Sequence, residues 1–272
     1  MEKALNEYFI CDGKKICVKD FNEEDIISKN NIYEVIRVID GVPLFLKEHM
    51  DRMKKSFSIM GIEQLFNYED LNKVIDDLVT FNNRKEGNIK VVYAADRNRL
   101  SSYYIPYSYP KENLYKEGVH TIAFHGEREN PNAKVINNGF REKVNEAIEQ
   151  NNAYEAILID NEGRITEGSR SNIFMIMNNT VITSPVEAVL PGVTRAVIMK
   201  VCGKLNLNIE EREVHEEELK DLQGLFISGT SPKVLPIKSV DSIIYNSYNN
   251  PIILSIIRGY ENECEEYIKT NK

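Results

Sequence analysis

The chain has 272 residues, 42% of them hydrophobic, so it is long enough for one large domain or two ordinary ones with a real core. This composition excludes a largely disordered chain. With 42 acidic and 34 basic residues the formal charge is -8, and no lysine- and arginine-rich block is present, which argues against nucleic acid as the main partner.

The cysteines and the amino-terminal residues bear on the cellular compartment. The four cysteines form no CxxC pair and have no histidine nearby at ligand spacing, so we expect reduced structural thiols and no metal site. The start of the chain lacks the apolar core of a signal peptide, and no run approaches the roughly 18 apolar residues of a membrane span. We therefore expect a cytoplasmic protein with no membrane partner.

The first half of the chain predicts strands mixed with helices. Residues 32–38 are rich in strand-forming types, the pair Asp40-Gly41 indicates a hairpin turn, and residues 42–46 are predicted to form the return strand. Helices are predicted over residues 47–60, ending at Gly61, and over 68–81, where apolar residues recur at helical spacing. The segments NIKVVYAAD and SSYYIPYSYP predict two further strands.

A stretch rich in proline, tyrosine and charge, residues 106–117, is the best candidate for a domain boundary. We predict an N-terminal domain over residues 1–110 and a C-terminal domain over residues 118–272. The second domain is expected to contain a strand in GVHTIAF, a helix over 140–150, two hairpins between 154 and 185, a helix that Thr194 caps, two strands around SGTSPK, and a final helix from about Pro251. Hairpins mixed with helices predict an α+β or α/β two-domain protein and not a doubly wound parallel sheet.

Two loops of the second half have features of an anion site. LPGVTRAV places Gly192, Val193 and Thr194 at a helix start, where free amides and the helix dipole favour a phosphate. SGTSPK offers the hydroxyls of Thr230 and Ser231 among small residues that allow close backbone approach. Taken alone, each loop is more typical of a helix cap or a tight turn than of an anion site.

The segment RITEGSRSNIFMI places a carboxylate, Glu167, directly before a run that should be a buried strand. Because burying an unpaired carboxylate costs several kcal/mol, Glu167 is expected to have a partner.

These segments together resemble the class IV aminotransferases, which are the fold-type IV pyridoxal-phosphate enzymes and include branched-chain and D-amino-acid aminotransferases and aminodeoxychorismate lyase. The resemblance is carried by YEVIRVIDG with EHMDRM, by YEAILIDNEGRITEGSRSNIFMI, by LPGVTR and by FISGTSPKVLPI, in the family's order. It implies a smaller N-terminal α/β domain and a larger, barrel-like C-terminal domain. It also implies a homodimer with the active site between the domains, near the subunit boundary.

The cofactor that the resemblance implies is pyridoxal 5'-phosphate, and the catalytic residue is Lys134. This lysine lies in NAKVINNG, 33 residues before Glu167, and matches the family's cofactor-bonding lysine. Its neighbours Ala133, Val135 and Ile136 are apolar, which suits a lowered ammonium pKa. The other candidate, Lys143, is expected to face solvent from its helix.

Further cofactor contacts follow from the same resemblance. Glu167 matches the glutamate that faces the pyridine nitrogen, where a carboxylate favours the protonated ring. Arg52 matches the arginine that binds the phosphate, although an exposed helix arginine in an ion pair is the alternative. Val193 and Thr194 would bring their amides to the phosphate.

The remaining assignments concern the substrate. Thr230 and Ser231 match positions that serve either the phosphate or the substrate carboxylate. Tyr33 and Arg37 match positions towards the substrate pocket, and a core-facing tyrosine and a strand-edge arginine are the alternatives. The segment SKNN stands where the family usually has GDG before this strand, which leaves the substrate open.

The reaction that the resemblance implies moves an amino group between an amino acid and a 2-oxo acid. A branched-chain L-amino acid is favoured and a D-amino acid is possible. A 4-amino-4-deoxychorismate lyase, which releases pyruvate with the same lysine and glutamate, is the alternative. A non-catalytic binding module on the same scaffold is a third hypothesis.

Overall fold

A computed structural model describes residues 3–28, 31–107, 109–128, 131–135 and 138–272, with the side chain of Asn138 left out. Its contacts form two compact units. The first comprises Met1–Ser108, Ala133–Ile136 and Cys264–Lys272, and the second Tyr109–Asn132 and Asn137–Glu263.

The predicted domain limits of 110 and 118 stay a prediction, but two segments group differently from it. The segment that contains Lys134 and the carboxyl-terminal residues cluster with the first unit, whereas the sequence analysis places both in the C-terminal domain. The physical reasons are a β-bridge between Val135 and Ile32 and the packing of the Tyr267 ring on Phe45.

The first unit is built on an antiparallel sheet. Its elements are β1 (Leu5–Cys11), β2 (Lys14–Cys17), α1 (Glu23–Ile26), β3 (Asn31–Ile39), β4 (Val42–Pro43), α2 (Leu46–Ile59), α3 (Tyr68–Phe81), β5 (Gly87–Ala94) and β6 (Arg99–Ile105). Among the described residues, six strands pair in the order β2-β1-β6-β5-β3-β4. Helices α2 and α3 bury their apolar faces with β3 and β5 in one core.

Helix α3 has the limits that the sequence predicts, because its signals are local. The Asn67 side chain accepts the amide of Asp70, whose carboxylate accepts the amide of Asn67, which forms a capping box. The helix then buries Leu71, Ile75 and Leu78, which recur at helical spacing.

Two expectations for this unit are wrong or incomplete. The return strand predicted over 42–46 is only Val42–Pro43, because Phe45 adopts a left-handed φ of 52° and α2 begins at Leu46. Strands β1 and β2 have no counterpart in the sequence analysis, since their short, mixed polar and apolar sequences show no clear alternation.

The second unit combines a larger sheet with helices. Its elements are α4 (Glu112–Glu117), β7 (Val119–His125), α5 (Asn138–Gln150), β8 (Glu155–Ile159), β9 (Ile165–Gly168), β10 (Asn172–Met177), β11 (Thr180–Thr183), α6 (Val193–Lys204), β12 (Ile209–Glu211), β13 (Gly224–Gly229), β14 (Lys233–Val240), β15 (Ile243–Ile244) and α7 (Pro251–Thr270), whose last residues cluster with the first unit. Within the described ranges nine strands form the sheet, eight of them in the order β12-β11-β10-β13-β14-β7-β8-β9, with β15 beside β14.

The predicted α+β character of this unit is confirmed. Hairpins β8–β9 and β10–β11 are antiparallel, whereas β7 pairs in parallel with both β8 and β14. Two details differ from expectation. The proline-rich connection contains α4, and α6 begins at Val193 with Gly192 as its N-cap, so Thr194 lies inside the first turn and does not cap the helix.

Within the described ranges, no helix is long and apolar enough to cross a membrane.

Candidate active site

The backbone of Lys134 is held from both sides within the first unit. Its amide N–H donates to the Ser56 hydroxyl at 3.1 Å, and its carbonyl accepts the amide of Tyr33, also at 3.1 Å. Its ammonium Nζ lies 4.9 Å from the centre of the Tyr33 ring, within the range of a cation–π contact. The neighbouring Ala133 is fully buried, and Ile136 lies outside the described residues. Lys143 is exposed on α5, as predicted.

Arg52 belongs to a buried charge cluster on α2 and β3. Its Nε donates to Glu34 Oε1 at 2.8 Å and its Nη2 to Glu34 Oε2 at 2.5 Å. His49 Nδ1 lies 2.7 Å from the same carboxylate. Burial opposes the charged form of Glu34, but the Arg52 charge and the hydrogen bonds outweigh it and lower the pKa of Glu34 to about 2. The guanidinium is therefore buried and fixed in place, not exposed on the helix surface.

Strand β3 directs its polar side chains to two opposite faces. Because side chains alternate along a strand, Glu34 lies on the α2 face while Tyr33 and Arg37 lie on the opposite face. A buried lysine, Lys90 of β5, also places its Nζ 4.9 Å from the centre of the Tyr33 ring. The surroundings of Tyr33 are therefore doubly cationic, which suits anionic ligands.

Glu167 has a protein partner that the sequence analysis did not name. Its Oε1 accepts Nη1 of Arg128 at 2.9 Å, and its Oε2 accepts the amide of Leu190 at 3.0 Å and the side-chain amide of Asn172 at 3.5 Å. The carboxylate is almost fully buried. Its charge is thus balanced by a guanidinium and two N–H donors, which answers the question of how the second unit can bury it.

The turn after Glu167 is fixed by a second buried carboxyl group. Glu155 Oε1 accepts the Ser171 hydroxyl at 2.8 Å and the Arg170 amide at 2.7 Å. Burial raises the pKa of Glu155, and the nearby charge of Glu167 adds to that rise. A Cβ on Gly168 would lie 2.2 Å from Ser171 Oγ and 2.5 Å from Glu155 Oε1, so the turn requires glycine for lack of space.

The predicted anion loops lie in the second unit. Val193 and Thr194 are both buried in the first turn of α6, and the preceding Gly192 packs closely on Asn172, whose Oδ1 would be 2.0 Å from an added Cβ. Asn172 in turn donates to the carbonyl of Leu190 at 2.8 Å. The start of α6 and the Glu167 carboxylate are therefore connected through one asparagine.

Thr230 and Ser231 form the turn between β13 and β14 and are half-buried. Two other serines of this unit, Ser169 beside Gly168 and Ser228 at the end of β13, have buried hydroxyl oxygens with no hydrogen-bond partner among the described residues. Buried hydroxyls of this kind are donors that a bound polar group could use.

The structure thus divides the predicted site residues. Lys134, Arg52, Tyr33 and Arg37 belong to the first unit, and Glu167, Val193, Thr194, Thr230 and Ser231 to the second. The polar groups that sequence reasoning missed are Arg128, Glu34, His49, Ser56, Glu155 and Asn172. Glu34, His49, Glu155 and Asn172 lie inside the resembling segments, where their polar side chains are the available signal, whereas Ser56 lies just after one of these segments. Arg128 lies in a polar stretch that shows no such signal.

Metal sites and surface clefts were the other kinds of site to consider in the described residues. Across the described ranges, no group of three histidine, cysteine, aspartate or glutamate residues is arranged to hold a metal ion. A surface cleft of about 360 Å³ in the second unit contains none of the predicted residues. Its lining residues are Lys116, Glu117, Lys238, Ser239, Ile244, Tyr245 and Tyr248.

A family model and curated relatives match most of this chain. The family model described as amino-transferase class IV matches residues 31–240. A D-alanine aminotransferase of Bacillus licheniformis is 30% identical over 239 residues, which cover 83% of this chain and 84% of that protein.

Solved structures show the fold. The branched-chain amino acid aminotransferase of Escherichia coli superposes with a TM-score of 0.86 at 20% identity, covering 96% of this chain and 95% of that one. A branched-chain aminotransferase of Thermoproteus uzoniensis, solved with norvaline, has a TM-score of 0.84 at 22% identity, covering 97% of this chain and 98% of that one. The fold-type IV architecture predicted from sequence is confirmed.

Proposed function

Because the chain belongs to the class IV aminotransferase family, we propose that it is a pyridoxal-phosphate-dependent aminotransferase acting between an amino acid and a 2-oxo acid. The observation that carries the proposal is the placement of Lys134, which is held through both of its backbone polar groups with its ammonium against the Tyr33 ring.

The residues of the second unit fit this cofactor. A buried carboxylate, Glu167, offers a partner for a protonated ring nitrogen, and Gly168 lets the turn after it pack closely on Ser171 and Glu155. The first turn of α6 offers amides for a phosphate, and the hydroxyls of Ser169 and Ser228 offer further donors. When bound, the cofactor supplies an aldehyde for covalent bonding and a ring that withdraws electrons from the substrate Cα.

We assign roles to the chain's own residues on this basis. Lys134 would hold the cofactor through its Nζ, and once the amine of the substrate has taken its place, the freed Nζ would accept and return the proton of the substrate Cα. Arg52 would bind the phosphate, as would the amides of Val193 and Thr194, and Glu167 would pair with the ring nitrogen. These roles come from the family resemblance, and we extend them to this chain by proposal.

The positive charges around Tyr33 bear on the choice of substrate. Lys90 and Lys134 both approach its ring, and Arg37 lies on the same strand face. A cationic environment suits the carboxylates of amino acids and 2-oxo acids. Together with Thr230 and Ser231, these residues would contact substrate. We propose a branched-chain L-amino acid as the favoured donor and a D-amino acid as the second candidate. We also propose a cytoplasmic homodimer.

A donor panel tests the reaction and the substrate together. The protein is loaded with pyridoxal phosphate and mixed with L-valine, L-leucine, D-alanine or L-alanine, first alone and then with 2-oxoglutarate or pyruvate. We expect one donor to shift the cofactor absorbance to that of the aminated form without any acceptor. No shift with any amino acid, together with pyruvate release from aminodeoxychorismate, would establish the lyase alternative instead.

Lysine variants test the assignment of the catalytic amine. Borohydride reduction followed by peptide mass spectrometry should locate a cofactor adduct on Lys134 in the wild type. Lys134→Ala should abolish the adduct and the activity, whereas Lys143→Ala, at an exposed position further along this sequence, should leave both unchanged. Equal cofactor binding by Lys134→Ala and wild type, without any adduct in either, would support a non-catalytic binding module.

A further inference from the structure

Ser56 is a buried hydroxyl in α2 that links two distant parts of the first unit. It is fully buried, and its Oγ donates to the carbonyl of Arg52 at 3.2 Å, one helical turn earlier. The same oxygen accepts the amide of Lys134, 78 residues later in the chain, at 3.1 Å. The hydroxyl therefore donates once and accepts once, which an alanine cannot reproduce.

The other side of the Lys134 backbone is held by β3. Its carbonyl accepts the Tyr33 amide, and Val135 forms an antiparallel bridge with Ile32. With both polar groups of its peptide backbone bonded, the position of the Lys134 Cα and the direction of its side chain are fixed. Of these two backbone bonds, the one to Ser56 is made by a side chain and can be removed by substitution.

The elements that carry these two anchors are themselves joined by a buried ion pair. Ser56 follows Arg52 by one turn of α2, and Tyr33 directly precedes Glu34 on β3. The Arg52–Glu34 pair therefore joins α2 to β3 close to Ser56 and Tyr33, the two residues that bind the Lys134 backbone. Any shift of α2 along β3 would move the two anchors of Lys134 apart.

We propose that Ser56 is a positioning residue for the amine of Lys134. The proposal rests on the proposed function, in which that amine bonds the cofactor and transfers a proton. A displacement of about 1 Å in a reacting group can cost on the order of a hundredfold in rate. Ser56 limits such displacement by fixing the backbone from which the flexible lysine side chain extends.

The test compares Ser56→Ala, which removes the hydroxyl, with Ser56→Cys, which keeps the space filled with a slightly larger thiol that hydrogen-bonds only weakly. Ser58→Ala, an exposed position on the same helix, is the matched control. Hydrogen exchange at the Lys134 amide is measured in cofactor-free protein. The rate of borohydride-trapped adduct formation on Lys134, kcat and KM are then measured with added cofactor.

We expect amide exchange at Lys134 to accelerate about tenfold in Ser56→Ala, as the loss of one buried hydrogen bond implies, and adduct formation and kcat to fall by a similar factor. KM for the amino acid should change little. Ser56→Cys should behave like Ser56→Ala, and Ser58→Ala like the wild type. Should Ser56→Ala fail to fold, Ser56→Cys decides the matter.

Normal exchange and kcat in folded Ser56→Ala would overturn the proposal. So would wild-type behaviour of Ser56→Cys, because the role would then be packing alone. Failure of the proposed function looks different: the wild type itself would form no adduct on Lys134. The exchange measurement needs no cofactor and is unaffected by that result.

Discussion

Gly168 is the position where the structure makes its sharpest prediction about stability. In Gly168→Ala the new Cβ would lie 2.2 Å from Ser171 Oγ and 2.5 Å from Glu155 Oε1, whereas ordinary contacts begin at 3.4 Å. Each oxygen must therefore move by roughly 1 Å. Neither oxygen can move without cost, because Ser171 Oγ donates a hydrogen bond to Glu155 Oε1 at 2.8 Å. Glu155 Oε1 also accepts the Arg170 amide at 2.7 Å.

The expected cost follows from these contacts. Overpacking a close-packed site costs about 1–3 kcal/mol. Disrupting hydrogen bonds to a buried carboxyl group adds about 1–3 kcal/mol. We therefore expect Gly168→Ala to lower the free energy of unfolding by about 2–6 kcal/mol, a large share of the roughly 5–15 kcal/mol typical of a domain. Urea titration of the cofactor-free protein measures this change.

Two further variants make the measurement specific. Gly203→Ala in α6 introduces a Cβ with nothing within 4 Å, so it should leave the unfolding free energy unchanged or raise it by up to about 1 kcal/mol. Adding Ser171→Ala to Gly168→Ala removes the closest contact and should recover part of the loss. A Gly168→Ala protein within about 1 kcal/mol of wild type would refute the steric reasoning.

Three other expectations concern buried ionisable groups. Arg52→Met leaves the Glu34 carboxylate without its guanidinium and should lower the free energy of unfolding by about 3–5 kcal/mol. The double variant Arg52→Met with Glu34→Gln should lose clearly less, and additive losses in urea unfolding would contradict the pairing. The folded-state pKa of Glu34, about 2, lies below its ordinary 4.5, so this stabilisation should be complete above pH 4.5 and decline as the pH falls towards 2. Acid unfolding of Glu34→Gln should be shallower over that window, and an unchanged profile would count against the assignment. Burial raises the pKa of Cys202 to about 11, so a thiol reagent at about pH 8 should modify it only in urea; rapid labelling of the native protein would contradict its burial.

Local signals in the sequence account for the correctly predicted elements. Helix α3 was predictable because its capping residues and its apolar spacing lie within one short segment. The hairpins β8–β9 and β10–β11 were predictable because turn residues separate two apolar runs. The strand β4 was overestimated for the opposite reason: the left-handed backbone of Phe45, an unusual conformation for a bulky residue, has no sequence signal.

In the candidate site, too, local motifs are visible in the sequence and long-range partners are not. Lys134, Glu167 and Arg52 could be named from motifs and spacing, through resemblance to a family. Their protein partners could not. Arg128 lies 39 residues from Glu167, and no local pattern connects the two. Which charges balance which depends on how strands and helices pack, and the sequence does not display that packing.

By itself, the sequence predicted a two-domain protein of helices and strands and, through its resemblance to the class IV aminotransferases, singled out Lys134, Glu167 and Arg52 as candidate site residues. The mixture of helices and strands follows from residue types and short-range periodicity, whereas the candidate residues follow from the resemblance. Only the tertiary structure decided that Ser56 and Tyr33 hold Lys134 and that Glu34 fixes Arg52. Hydrogen bonds and ion pairs between residues far apart in sequence form only after the chain has folded, because folding alone brings their atoms within about 3 Å.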